Sequence, residues 1–471
     1  MLPPSQNNGD FVMIECLVDS AAGAIPLRPI SPAALGSWLA GREKRIATWI
    51  EANGFGAGSG KTCIIPNAEG GIGEVLVGVT DDENLWPYGG LPSSLPEATY
   101  RLIEDGLDET AQSRAALGWA LGAYGFARYK AKEQKPARLV WPAKADRGGV
   151  ERAAVATYLI RDLINTPSGD MGPAELAEAA ERVGKAHGAN VNIIVGDRLL
   201  DENYPAVHAV GRASIRAPRL IDLRWGRTGP KITLCGKGVC FDSGGLDIKS
   251  ASNMKLMKKD MGGAAHVLGL AQMIMAAQLP VRLRMLIPAV ENSISGNAYR
   301  PLDVVRTRKG LSVEIGNTDA EGRVILSDAL TEADRESPDL LIDCATLTGA
   351  ARVALGPELP ALFSNHDASA EALIRHGQAE RDPVWRLPLF KPYRRGLDSK
   401  VADLNNIWDS PFAGAITAAL FLQEFVSPTT PWLHLDIMAW NTTSRPGRPE
   451  GGEAMGLRAL YALVAERAAR G

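Results

Sequence analysis

The sequence predicts an α/β protein with a smaller N-terminal α/β lobe and a larger C-terminal domain, whose mostly parallel sheet is covered by helices on both faces. The chain has 471 residues, which is too long for one ordinary hydrophobic core. From about residue 190 onward, apolar strand-like runs alternate with helical runs as far as the C-terminus. This alternation is typical of parallel strands joined by helices.

The N-terminal lobe, residues 1–147, mixes short apolar runs with turn residues. Residues 61–66 and 73–80 predict a hairpin, since the second run alternates in polarity and a glycine-containing turn separates the two. An alanine-rich stretch from about 107 to 135 predicts a helix, and residues 134–142 predict a strand.

A glycine-rich run, Gly56–Thr62, precedes the hairpin and invites comparison with a nucleotide-binding P-loop. The P-loop pattern requires a glycine where this chain has Phe55, and it leads from a strand into a helix. Here Cys63–Pro66 is strand-like instead. We interpret the run as a loop that enters the hairpin, and we expect no ATP binding.

The C-terminal domain, residues 148–471, opens with a predicted connector helix at about 148–166, which ends before Pro167. Further elements follow in alternation, namely a helix from Pro173 to Gly188, strands at 191–195, 232–239, 281–290, 311–316 and 340–347, and helices at 263–278 and after Arg323. In parallel sheets of this kind, ligands bind at the carboxyl ends of the strands.

Composition and charge exclude several classes of partner. The net charge is −3, and residues 1–140 hold 12 basic against 16 acidic residues, so nothing favours nucleic acid. The longest apolar run, residues 414–422, is too short to span a bilayer. Five scattered cysteines in apolar surroundings suggest buried thiols in a reducing compartment. We therefore expect a cytoplasmic protein without a membrane partner.

Two segments carry the candidate chemistry, Lys237–Asp260 and Asn317–Arg323. Each follows a predicted strand, so both are expected at the carboxyl edge of the sheet. The side chains brought together would be four carboxylates, Asp242, Asp260, Asp319 and Glu321, and three cations, Lys237, Lys249 and Arg323.

Simpler explanations exist for each of these residues taken singly. Thr318 and Glu321 fit a helix capping box, Asp260 suits a helix N-terminus, and the glycines suit turns. Four converging carboxylates would nevertheless repel one another strongly, whereas two divalent metals would balance their charge. The only nearby histidine, His266, lies within a predicted helix. Oxygen ligands favour Mn, Mg or Zn over a tetrahedral Cys/His zinc site.

The residues at these positions resemble the cytosolic leucyl aminopeptidase family of metallopeptidases. The resemblance covers roughly residues 150–471. It rests on Gly236-Lys237-Gly238, Phe241–Gly245, Lys249, Met257–Gly263 and Asn317–Arg323, supported by Asn165–Pro167, Trp385–Pro388, Ala402–Leu404 and His434–Asp436.

The resemblance implies two divalent metals, Mn or Zn with Mg or Co as alternatives, and a metal-dependent release of N-terminal residues from peptides. Lys237, Asp242, Asp260 and Glu321 would hold one metal, and Asp242, Asp319 and Glu321 the other. Lys237 must then be a neutral amine. Lys249 would stay charged and stabilise the oxyanion, and Arg323 would hold a bicarbonate that acts as general base.

The resemblance also implies the substrate site and the assembly. Met257, Thr346 and Gly349 match the pocket for the first side chain, which suggests a broad preference biased toward leucine-like residues. Short peptides, a homohexamer and a cytoplasmic location are expected. Some relatives also bind DNA, but the acidic N-terminal lobe argues against that alternative.

Three positions depart from the family pattern. Val324 replaces leucine after the Asn317–Arg323 segment, and we expect it in the core. Cys240 is expected to be a buried strand residue rather than a ligand. Lys258 and Lys259 either tune the site or are simply solvated.

Overall fold

The structure is a computed structural model that describes residues 14–80, 85–130 and 135–470. The chain divides into two compact units. One comprises Met1–Tyr158 with Thr443–Glu450, and the other comprises Leu159–Thr442 with Gly451–Gly471. The division falls inside the helix Arg147–Asn165. A domain boundary at 147/148, as the sequence suggested, remains our proposal.

The first unit contains, in its described part, a six-stranded sheet. Its strands lie in the order Leu17–Val18, Arg138–Val140, Thr99–Leu102, Ile25–Ile30, Ile72–Gly78 and Thr62–Pro66. Its helices are Pro32–Ala40, Lys44–Ala52, Trp86–Gly89, Leu91–Ser94 and Glu109–Ala123. Strands Thr62–Pro66 and Ile72–Gly78 pair in antiparallel fashion, which confirms the predicted hairpin. A strand therefore follows the glycine-rich run, and the P-loop interpretation is excluded.

The helix predicted at about 107–135 is shorter than expected. It spans Glu109–Ala123 and begins where the Asp108 side chain accepts a hydrogen bond from the Ala111 amide. Tyr124 then adopts an extended conformation, and the residues 127–130 are exposed. Alanine content favours a helix locally, but those later residues bury no apolar face that would stabilise one. Residues 131–134 of the prediction lie outside the described part.

The second unit is built on a sheet that has nine strands among the described residues. The path runs Trp385–Arg386, Ala361–Ser364, Trp432–Asp436, Leu340–Ala345, Lys231–Gly236, Arg282–Asn292, Arg219–Trp225 and Asn190–Val195, and Gly238–Asp242 also pairs with Arg282–Asn292. The four central strands are parallel. Antiparallel pairings occur toward both edges, so the sheet is mixed but mainly parallel in its centre.

Helices surround this sheet. They are Pro173–His187, Arg198–Asp201, Pro205–Gly211, Ala251–Met254, Gly262–Ala276, Glu321–Asp334, Gly349–Leu355, Asp367–Ala379, Gly414–Gln423 and Leu457–Arg470, with 3₁₀ turns at Met257–Met261 and Lys391–Leu397. Two strands, Trp440–Asn441 and Gly451–Gly452, form a separate ribbon. In the described part of the chain, no helix combines the length and the apolar character needed to cross a membrane.

One element predicted for the main sheet lies elsewhere. Residues 311–316 contribute the strand Ser312–Glu314 to a small sheet with Val304–Arg306 and Leu404–Asn405. The apolar pattern indicated a strand correctly, but a three-residue strand carries no signal of which sheet it joins. The segment Asn317–Arg323 therefore reaches the site from a separate sheet, and Glu321 opens the helix Glu321–Asp334.

The carboxyl ends of the central parallel strands position several polar groups along one edge. Lys237 follows Lys231–Gly236, Thr346 follows Leu340–Ala345, and Asp436 and Asn292 end their own strands. The helix Gly262–Ala276 packs closely against this edge. A side chain at Gly263 would place its Cβ 2.0 Å from the Cys344 carbonyl oxygen, so only glycine allows the helix Gly262–Ala276 to approach.

Core positions agree with the sequence. The helix Gly262–Ala276 is buried from Gly262 to Met275, as expected for a helix that is apolar on all faces. Val324 is fully buried, and the five cysteines, Cys240 included, are buried thiols.

A buried ion pair in the second unit yields a stability prediction. Arg161 Nε lies 3.1 Å from Glu453 Oε1, and Arg161 Nη2 lies 3.0 Å from Glu453 Oε2, with both side chains buried. Glu453→Gln should lower the free energy of unfolding by about 3–5 kcal/mol, because the buried Arg161 guanidinium loses the charge of this carboxylate. Denaturant unfolding measures this. Glu202→Gln, which removes an exposed pair with Arg198, should cost about 0.5 kcal/mol or less; equal losses would contradict the prediction.

Candidate metal centre

Three carboxylates form the centre of the site. Asp242, Asp319 and Glu321 each offer an oxygen, and these oxygens lie within 4.8 Å of one another. Asp242 ends the strand Gly238–Asp242 and Glu321 begins the helix Glu321–Asp334, while Asp319 lies in the turn before that helix. The sequence prediction that these groups converge is confirmed by their positions.

Lys237 and Asp260 extend the cluster. Lys237 Nζ lies 2.7 Å from Asp260 Oδ2 and 2.8 Å from Glu321 Oε1, and it donates a hydrogen bond to the Thr346 carbonyl at 2.9 Å. Burial disfavours the ammonium, but the nearby carboxylates outweigh burial and raise the pKa of Lys237. This rise in the pKa of Lys237 reflects the carboxylates alone, without the charge of a metal ion. The neutral form expected beside a cation stays a prediction.

Lys249 contacts two other carboxylates of the cluster. Its Nζ is 2.8 Å from Asp242 Oδ2 and also pairs with Asp319 Oδ1. Burial again opposes the charge, yet the attraction of Asp242 and Glu321 prevails and raises the pKa of Lys249. The carboxylates by themselves therefore favour the ammonium, and the charged form expected beside bound metals stays a prediction.

The carboxylates themselves are under strong mutual repulsion. Burial, followed by the charge of Asp242, raises the pKa of Glu321 well above its ordinary range. The same two causes raise the pKa of Asp319 to about 6. Asp260 differs, because Lys237 and Lys259 outweigh burial and lower its pKa. The lysines therefore compensate the negative charge only in part.

The cluster fits divalent metal ions. Four of its buried oxygens lack a well-directed hydrogen bond, namely Asp260 Oδ2, Asp319 Oδ1, Glu321 Oε1 and Glu321 Oε2. The first three lie beside a lysine ammonium, whereas Glu321 Oε2 has no partner in the described chain. Buried acceptors normally have donors, so oxygens directed at one another need a cation. Carboxylate ligands suit Mn, Mg and Zn. His266 is no ligand, since its Nδ1 lies 2.6 Å from the Gly262 carbonyl and its Nε2 accepts from the Met455 amide.

Two polar side chains that sequence reasoning missed hold the carboxylates in place. Asn292 Nδ2 donates to Asp242 Oδ1 at 2.8 Å and to the Thr318 carbonyl at 3.0 Å. Asp247 Oδ2 accepts from the Thr318 amide at 2.7 Å. The capping-box explanation of Thr318 is wrong, because Ala320 precedes the helix and no side chain caps it.

Arg323 lies at the edge of the same site. Its side chain is buried, and Nη1 donates to the Asn406 carbonyl at 2.8 Å. Its Nε is buried and donates no hydrogen bond. Burial lowers the pKa of Arg323 to about 10, so the guanidinium still carries its charge at neutral pH and can meet an anion.

A cavity of about 500 Å³ opens onto the cluster. Met257, Thr346 and Gly349, the residues predicted for the substrate pocket, all line it, as do Lys249 and Arg323. Thr346 Oγ1 donates to Asp260 Oδ1 at 2.7 Å, so this threonine contacts both the acidic cluster and the cavity.

Asp436 fixes the loop that forms one wall of the cavity. Its carboxylate accepts from the amides of Leu347 at 2.9 Å and Thr348 at 3.0 Å, and from Thr348 Oγ1 at 2.6 Å. Arg352 Nη1 lies 2.8 Å from Asp436 Oδ1. The sequence offered only one signal of this role, the matched motif His434–Asp436.

The two lysines beside Asp260 have different surroundings. Lys258 Nζ donates to the Asn165 carbonyl at 2.6 Å. Lys259 is only 3% exposed and lines the cavity, so of the two alternatives left open for it, simple solvation is wrong. Burial, followed by the charge of Arg352, lowers the pKa of Lys259 to about 7.

Comparisons with known proteins agree with this geometry. Residues 158–461 match the model of the cytosol aminopeptidase family catalytic domain. Residues 25–142 match the M17 aminopeptidase N-terminal domain, a relationship that no motif in this lobe had indicated.

Relatives match over most of the chain. A crystal structure of cytosol aminopeptidase from Coxiella burnetii has 53% sequence identity and a TM-score of 0.93, and the match covers 96% of this chain and 99% of that one. The bottromycin maturation enzyme BotP in complex with Mn has 32% sequence identity and a TM-score of 0.86. That match covers 95% of this chain and 100% of the BotP chain. A "Probable cytosol aminopeptidase" of Roseiflexus castenholzii is 42% identical, with 76% and 77% covered. The chain therefore belongs to the M17 cytosol aminopeptidase family of metallopeptidases.

Proposed function

We propose that this aminopeptidase uses two divalent metals to remove the N-terminal residue from short peptides, with a broad preference for leucine-like residues. The observation that carries the proposal is the group of Asp242, Asp319 and Glu321 within 4.8 Å beside a cavity of about 500 Å³.

Five side chains would hold the metals. Lys237, Asp242, Asp260 and Glu321 would bind one ion, and Asp242, Asp319 and Glu321 the other. When bound, Mn or Zn, with Mg or Co as alternatives, activates a water molecule and polarises the peptide carbonyl. The family match and the Mn complex of BotP support divalent metals. Glu321 Oε2, which is buried and accepts no hydrogen bond, supports the ligand assignment.

Lys249 and Arg323 would be the catalytic residues. Lys249 presents an ammonium to the cavity beside Asp242, where it would donate to the oxyanion that develops on the carbonyl oxygen. Arg323 has a buried Nε that donates to no protein group. It would bind bicarbonate, which would accept a proton from the attacking water because no histidine or further carboxylate lines the described cavity.

The substrate would enter with its free amino group toward Asp260, whose charge would select an N-terminal ammonium and so favour exopeptidase action. Met257, Thr346 and Gly349 would contact the first side chain, since they line the cavity. We also propose a cytoplasmic homohexamer that binds neither membranes nor nucleic acid, in keeping with the net charge of −3.

Metal dependence gives the first test. Exhaustive chelation should abolish hydrolysis of leucyl-p-nitroanilide, because the carboxylates cannot activate water by themselves, and Mn or Zn should restore it. Activity that persists in metal-free protein, verified by elemental analysis, would contradict the proposed function.

The role of Lys249 gives the second test. Lys249→Ala should lower kcat by about a hundredfold or more, as expected when an oxyanion donor is removed, while two metals per chain remain bound. Lys255→Ala removes an exposed lysine nearby and should leave kcat unchanged. If metal content falls together with kcat, Lys249 supports the metal site rather than the oxyanion.

The loop anchored by Asp436 gives the third test. Asp436→Asn replaces an acceptor by an amide group that cannot satisfy both backbone donors, so kcat/KM for leucyl-p-nitroanilide should fall by about tenfold. Asp197→Asn, which alters an almost fully exposed carboxylate, serves as control. An unchanged kcat/KM in Asp436→Asn would show that the loop keeps its position without this carboxylate.

A further inference from the structure

Lys259 is a buried lysine of the cavity wall that forms no ion pair with a carboxylate of the described chain. It lies on the 3₁₀ turn Met257–Met261, is 3% exposed and lines the cavity. Across the portion of the chain that the structure describes, its ammonium forms no ion pair and no side-chain hydrogen bond.

The other cations of the cavity wall have protein partners. Lys237 and Lys249 pair with carboxylates, Arg352 pairs with Asp436, and Arg323 donates to the Asn406 carbonyl. Burial of a charge without a partner is unfavourable. Packing alone does not require a lysine at this position, because an apolar side chain would fill the same space without the free-energy cost of burying an ammonium.

Asp260 and Asp436, the two carboxylates whose charges act on Lys259, are already engaged. Asp260 pairs with Lys237 and accepts from Thr346 Oγ1. Asp436 accepts from two backbone amides, Thr348 Oγ1 and Arg352. Neither can turn to Lys259 without breaking those contacts. A carboxylate that pairs with the Lys259 ammonium would therefore come from outside the described chain.

We propose that Lys259 binds a carboxylate of the peptide substrate. This inference rests on the proposed function, since it concerns what the same cavity accepts. Two parts of a peptide carry that group, the side chain of an N-terminal aspartate or glutamate and the free C-terminus of a dipeptide. Either would give the enzyme a preference for acidic substrates in addition to leucine-like ones.

The test compares charged substrates with neutral ones of the same shape. Glutamyl- and glutaminyl-p-nitroanilide differ only in the side-chain carboxylate, and Leu-Gly and Leu-Gly-amide differ only in the C-terminal one. Each pair is measured with the metal-loaded wild type, with Lys259→Met, which keeps the length but removes the charge, and with Lys259→Arg, which keeps the charge. Lys255→Met, at an exposed position, is the control.

In the wild type, kcat/KM should favour the charged member of one pair. Lys259→Met should reduce that preference by about tenfold or more, as expected for a hydrogen bond to a charged group. Lys259→Arg should retain most of it, and Lys255→Met all of it. Loss in the glutamyl pair identifies the side-chain carboxylate as the ligand, and loss in the Leu-Gly pair identifies the C-terminus.

Other outcomes overturn the inference. The inference is overturned if the wild type has the higher kcat/KM for the neutral substrate of both pairs, and this comparison does not depend on any variant folding. It is also overturned if Lys259→Met has the same ratios of kcat/KM between charged and neutral substrates as the wild type, even if all rates fall together. If the wild type fails to hydrolyse leucyl-p-nitroanilide, the proposed function fails too, whereas hydrolysis with unchanged ratios contradicts only the role of Lys259.

Discussion

The repulsion among buried carboxylates is the constraint on which the site depends. Asp242, Asp319 and Glu321 offer oxygens within 4.8 Å of one another, and burial raises the pKa values of Asp319 and Glu321. Such an arrangement is unfavourable unless positive charge lies among the oxygens. Lys237 and Lys249 supply part of that charge, and a metal-binding site is the natural role for the remainder. Asn292 and the two lysines hold these acids together against their repulsion.

The fold provides that restraint through rigid strand ends and buried polar supports. Asn292 ends a central strand and fixes Asp242, and Asp436 ends another and fixes the cavity loop. The close approach of a helix at Gly263 leaves no room for a side chain. Groups held by strand ends vary less in position than groups on loops, so the strand end and Asn292 restrict the position of Asp242.

Three lysines of the site show how surroundings decide the role of one residue type. Lys237 is enclosed by carboxylates and contacts Asp260 and Glu321, which makes it a candidate ligand. Lys249 borders the cavity beside Asp242 and can meet the reacting carbonyl. Lys259 is buried and pairs with no carboxylate of the described chain, which makes it a candidate for binding the substrate. Their sequence spacing does not distinguish these roles; the charges around each ammonium do.

The sequence by itself determined the fold class, the hairpin, the acidic cluster and the family, because polarity patterns and short motifs are local properties. Only the tertiary structure decided where the segment Asn317–Arg323 enters, since its preceding strand belongs to a small separate sheet. Contacts between residues that are far apart in the sequence are also visible only in the tertiary structure. Asn292 is 50 residues from Asp242, and Asp436 is 88 residues from Thr348. Burial of Lys259 depends on all the elements packed around it, and no local pattern can encode that.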